Sequence, residues 1–183
     1  MNKQEIISQL DQHYRAFTDY IRSLSPEDFF YSPEGKWSAG QQLSHLILCV
    51  KPLVHVYGMD TAAIEQNFGK ADTPARSYQE LTASYVARLK EGVSAPDRFV
   101  PGDVMAEEQQ LLCDTLLQLV AALSERIQSF DEADLDALAV PHPALGKLSL
   151  REMLFNAIDH VQHHHRKVKE GLEARRPAVA GNG

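Results

Sequence analysis

Apolar residues recur with a helical period in five stretches of the chain. Ile6, Leu10, Tyr14, Phe17 and Ile21 repeat at three- and four-residue intervals, so they predict a first helix with one apolar stripe that ends before SLSPEDF. Three more helices announce their starts. Ser38 with Gln41, Ser77 with Glu80 and Ser149 with Glu152 each set a Ser three residues ahead of a Gln or Glu at the head of an apolar pattern. In that arrangement the two side chains reciprocally satisfy backbone N–H groups that a helix start leaves free. Gly58 and Gly92 supply stops for the first two of these helices. The fifth covers residues 107–130, where LLCDTLLQLVAAL is apolar almost all round and therefore belongs near the centre. No stretch alternates with the two-residue period of a strand, and residues 69–76 and 93–103 carry the Pro, Gly and Asp of loops.

Five helices without strands predict an all-α protein, an up-and-down helix bundle with crossover connections. A chain of 183 residues suffices for one domain with a sizeable core, assigned to residues 1–170. The terminal RRPAVAGNG reads as frayed, so residues 171–183 are expected to form a flexible tail. A formal net charge of −7 argues against a nucleic-acid partner, which needs clustered cations. The one basic cluster, Arg166, Lys167, Lys169, Arg175 and Arg176, reads as a solvated helix end favoured by the helix dipole. The first residues show no secretory pattern, and no run approaches the roughly 20 apolar residues of a membrane span. Cys49 and Cys113 lie far apart in predicted helices and fit reduced thiols, which points to the cytoplasm.

The chemistry concentrates in DHVQHHHRKVKEGL, which packs His160, His163, His164 and His165 into one helix end. At about 100° per residue, Leu150, Met153, Leu154, Ala157, Ile158, Val161 and Val168 define the apolar arc of that helix. His164 falls inside the arc and His160 on its rim one turn earlier, while His163 projects outside it. A pair four residues apart is what a helix needs to aim two imidazoles at one point. A third ligand must come from another helix, and His45 in SAGQQLSHLILCVKPL is the best candidate, on the flank of its own apolar arc. Periodicity alone leaves His45 equally readable as an ordinary helix histidine. His13, His55 and His142, the last placed between prolines in a loop, read as structural or surface residues. Cys49, one turn beyond His45, reads as a small buried hydrophobe. Asp159 reads as solvent-facing or as a partner for Arg or Lys.

GKWSAGQQLSHL together with HPALGKLSLREMLFNAIDHVQHHHRKV resembles the DinB-like family, in particular the branch grouped with bacillithiol S-transferases. The resemblance runs from the start of the chain to about Lys169. It implies a four-helix bundle with crossover connections and one additional helix, holding a divalent metal, most often nickel or zinc, on three histidines. Those ligands fall on His45, His160 and His164. It also implies a homodimer. Lys167 stands where relatives commonly carry Gln or His, which removes the basis for a supporting role there.

Three functions follow as expectations. One is a metal-dependent enzyme in which the ion lowers the pKa of a bound thiol or water, the resemblance favouring transfer of a low-molecular-weight thiol to an electrophile over hydrolysis. Another is a non-catalytic bundle that holds a metal or an apolar ligand. A di-iron bundle is the third and weakest, because Glu107, Glu108 and Asp114 do not share the face of His160 and His164. No general base stands out, and neither substrate nor metal identity is legible.

Overall fold

The computed structural model describes residues 1–32 and 34–175. Helix α1, Lys3–Arg22, starts with a reciprocal cap between Asn2 and Glu5 and buries Ile6, Leu10, Tyr14, Phe17 and Ile21, the stripe read from the sequence. Helix α2, Pro26–Phe30, is one turn capped by Ser25 with Pro26 in its first turn, too short for a periodic signal. Helix α3, Ala39–Val56, opens on the Ser38 and Gln41 box. Gly40 in its first turn is a steric necessity, because a Cβ there would come within 2.8 Å of the Phe29 ring of α2.

A further helix that the sequence pattern does not announce, α4, Thr61–Phe68, follows Gly58 and is capped by Asp60. Helix α5, Tyr78–Lys90, follows from the Ser77 and Glu80 box, and α6, Gln109–Ile127, is the apolar central helix. A short α7, Glu132–Ala137, leads into a correction to the all-helical reading. Strands β1, Ala139–His142, and β2, Gly146–Ser149, pair antiparallel with Ala139 opposite Ser149 and His142 opposite Gly146. Strands this short never display an alternating pattern long enough to read. Residues 143–145 make the turn, Gly146 at φ 75° brings the chain back into the sheet, and His142 ends a strand instead of sitting in an irregular loop. The hairpin delivers Ser149 to the start of α8, Leu150–Arg175, where Ser149 and Glu152 complete the third capping box.

Four long helices form the bundle: α6 packs between α1 and α3, and α8 closes the ring against both. The consecutive long helices α1 and α3 thus lie mostly across the bundle from one another, which is the crossover. Helix α5 is the additional one and lies on the outer side of α8. That double cover explains why eight consecutive residues of α8, Glu152 to Asp159, are buried. It also decides between the two readings of Asp159, which is 8% exposed and not solvent-facing but does feel the charge of Arg166. An amphipathic pattern assumes one buried face, whereas α5 buries a second. Helix α8 runs to Arg175 with Leu172 buried, which extends the bundle beyond residue 170; residues 176–183, including Arg176, lie outside the described part. No single helix among the described residues is long and apolar enough to cross a membrane.

Candidate metal centre

Packing α3 against α8 brings His45 to the His160 and His164 pair. His45 Nε2 lies 3.3 Å from His160 Nε2, which lies 2.9 Å from His164 Nε2. His45 and His164 are each 4% exposed, while His160 keeps partial access to solvent. Among the described residues this is the one group of His, Cys, Asp or Glu with ligand atoms at metal-binding spacing, all within 4.8 Å. Glu108 caps a helical turn and Asp114 pairs with Arg22, and neither carboxylate joins the three-histidine group.

The far side of two rings decides where their protons sit. His45 Nδ1 is 2.7 Å from the Phe99 carbonyl, which only accepts, so Nδ1 carries the proton. His164 Nδ1 meets Gln42 Oε1, and the Gln42 amide nitrogen is turned to the Trp37 carbonyl at 3.5 Å, so that Nδ1 is protonated too. In the neutral imidazoles, Nε2 of His45 and of His164 are then bare lone pairs, both aimed at His160 Nε2. One proton on His160 Nε2 can point at only one of them, so the other lone pair is left without a donor. A cation among them removes that deficit. Four-coordinate zinc, at about 2.0–2.1 Å from each nitrogen, separates its ligands by about 3.3 Å, close to the observed spacing.

The electrostatics keep the cluster in the neutral form that ligates metals. Burial lowers the pKa of His160 and of His164 well below the ordinary imidazole value, and the neighbouring imidazoles add to it. Burial also lowers His45, against the opposing effect of the Phe99 carbonyl. His163 is brought to about 4 by burial together with Lys167 and Arg166.

Rings wall the cluster. Trp37 lies 4.8 Å from His45 and stacks 6.4 Å from His164, and Tyr85 of α5 stands edge-on to His160 at 6.3 Å and to His163 at 6.4 Å. Cys49 is not merely a packed hydrophobe: its Sγ is 3.5 Å from His45 Nε2, although it falls outside the three-histidine group. Burial pushes its thiol up to about 12. The remaining histidines are not members of the three-histidine group, although His142 lies near enough to add to the lowering of the His160 pKa. His13 bonds Gln9 on α1, His55 is exposed, His142 bonds Asn156, and His165 packs against Phe17 and Tyr20. Arg166, Lys167 and Lys169 are exposed, and Arg175 pairs with Asp28.

Four contributors to the site, Gln42, Trp37, Tyr85 and Phe99, do not emerge from sequence reasoning. Gln42 stands three residues before His45 on the same helical face, a signal that the spacing does contain. The Phe99 contribution is a carbonyl, which every residue possesses, so nothing in its identity marks it.

An α-helical bundle whose interior gathers three histidines defines a recognisable class of fold. The chain belongs to the DinB superfamily, whose family model matches residues 9–168. Among solved structures it is similar to "Crystal structure of TT2238, a four-helix bundle protein", with a TM-score of 0.56 and 18% identity over 92% of this chain and 98% of that one. That likeness is one of fold. No curated protein matches the chain. Superfamily membership and the three-histidine group are together compatible with metal binding.

Proposed function

We propose that His45, His160 and His164 hold a divalent metal, zinc or nickel, and that the protein is an enzyme transferring a low-molecular-weight thiol to an electrophile. The observation that carries the metal is the convergence of Nε2 lone pairs whose opposite nitrogens are tied to Phe99 and Gln42. Such ties are how metal-ligating histidines are held in orientation and tautomer. A three-histidine set leaves a coordination position for a small molecule, and the ion would make a thiol placed there a nucleophile at neutral pH. The chain's own part is to fix the rings, to shield them with Trp37 and Tyr85, and to leave the approach on the partly exposed side of His160. The choice of thiol over water rests on the resemblance to the bacillithiol S-transferase branch.

Cys49 favours one competing reading. With Sγ 3.5 Å from His45 Nε2, a rotation of its side chain could add a fourth ligand and close the site, as in structural zinc centres, leaving a bundle without turnover. Elemental mass spectrometry on untagged protein, with circular dichroism as folding control, tests the site. About one metal per chain, lost in folded His45→Ala, His160→Ala and His164→Ala, is the expected result; metal unaffected by all three defeats it. Thiol-dependent consumption of a chromogenic electrophile, retained in Cys49→Ser and abolished in His164→Ala, then separates the enzyme from the closed centre.

A further inference from the structure

One turn before His160 on α8 stands Asn156, 8% exposed. Its Oδ1 is 3.1 Å from His142 Nε2. The hairpin turn fixes the tautomer of that histidine, because the backbone N–H groups of Ala144 and Leu145 both donate to its Nδ1, at 3.1 and 3.2 Å. With Nδ1 the acceptor, Nε2 carries the proton and donates to Asn156 Oδ1. Flipping the amide would set donor against donor, so its orientation is determined by this chain of bonds. Asn156 Nδ2 is left buried with no partner among the described residues.

An unmet buried donor destabilises a fold, and Asn is a poorer helix former than the Leu or Ala that would fill a purely structural position. The placement accounts for it. Four residues separate Asn156 from His160, about 6 Å along the helix and about 40° round it, on the side that continues the ligand face. Tyr85 joins the two, its ring 6.2 Å from His142 and 6.3 Å from His160, so the Asn156 and His142 pair and the candidate metal centre share one wall.

We propose that Asn156 Nδ2 is a substrate-binding donor that takes a carbonyl oxygen, of an amide or carboxylate, carried a short chain from the substrate's sulfur. The thiol rests on the function proposed above; the oxygen rests on the Asn156 donors alone. The site thereby selects acyl-bearing thiols over plain alkyl thiols.

The test loads wild type and Asn156→Leu with Co(II) and titrates 3-mercaptopropionamide against 1-butanethiol, following the sulfur-to-cobalt charge-transfer band. Both probes are uncharged, so electrostatic attraction to Lys167 does not enter. Wild type is expected to prefer the amide roughly ten-fold, the scale of one buried hydrogen bond, and Asn156→Leu to lose that preference while keeping its affinity for butanethiol. Equal affinities in wild type, as a trapped water on Nδ2 would produce, or a preference that survives in Asn156→Leu, overturn the inference. Failure of cobalt to bind defeats the metal reading instead. In that event, and equally where Asn156→Leu does not fold, the side-chain amide resonances of Asn156 in metal-free wild type decide. They shift with 3-mercaptopropionamide and not with butanethiol if the inference holds, and with neither or both if it does not.

Discussion

Two of the places where helix α8 packs titratable side chains away from water are built oppositely. In its first turn Glu152, 5% exposed, accepts from Arg76 Nε at 2.6 Å, from the Arg76 backbone N–H at 3.1 Å and from the Ser149 backbone N–H at 2.9 Å. Burial would raise its carboxyl pKa, yet the bonds from Arg76 and Ser149 outweigh that and hold it below the usual range. Two turns later His160 and His164 have no opposite charge to meet. Their Nε2 atoms face one another and His45, and the neighbouring imidazoles and Lys167 push their pKa in the same direction as burial does. A buried polar group whose partners are all supplied by the protein serves the fold. One whose partners are copies of itself leaves a place for something else.

The widest separation is expected from exchanging damage between the two places. His164→Ala should abolish bound metal, read by elemental analysis, while leaving the metal-free protein folded, because it removes a buried base whose Nε2 meets only another imidazole. Glu152→Ala should do the reverse. Stranding the half-buried Arg76 and removing one arm of the helix cap should cost about 3 kcal/mol in chemical denaturation, with metal stoichiometry unchanged in the folded fraction. A His164→Ala chain that keeps its metal, or a Glu152→Ala chain that loses metal without losing stability, would erase the contrast. A finer cut is Gln42→Leu, which leaves all three ligands but removes the acceptor on His164 Nδ1. Metal affinity by chelator competition should fall about 10–100-fold, the usual consequence of losing such an orienting partner.

The same contrast governs what is legible in the sequence. The scaffold around Glu152 is legible because a capping box is a local pattern, and Ser149 with Glu152 behaves in space as it does along the chain. The phase of α8 likewise places His164 inward and His160 on the rim, since helical geometry converts spacing into direction. That His45 joins them depends on which helices pack together, and periodicity within α3 carries no information about α8; there the family resemblance supplies what spacing does not. Asp159 escapes the helical phase because a second helix, α5, covers α8 from outside. Its carboxyl pKa is raised by that burial, with Arg166 opposing. The hairpin and the one-turn helices escape because they are shorter than the window over which a period can be counted.

The narrowest separation is in pH, and the window differs between the two places. In the metal-free protein the folded-state pKa values of His45, His160 and His164 lie below the unfolded value of about 6.5, so as pH falls through that value the unfolded chain takes up protons first. Their contribution is full above about pH 6.5 and declines below it. Glu152 is also lowered, but from an unfolded value of about 4.3, so its contribution persists to that pH and is lost only on further acidification. Melting temperature against pH should therefore fall in two stages. His164→Ala should shrink the upper stage alone and Glu152→Ala the lower alone. Saturating metal should move the upper stage to lower pH, because protons must then compete with the ion for the same nitrogens. A single stage insensitive to metal would mean that the imidazoles are not the metal's ligands, whatever their arrangement.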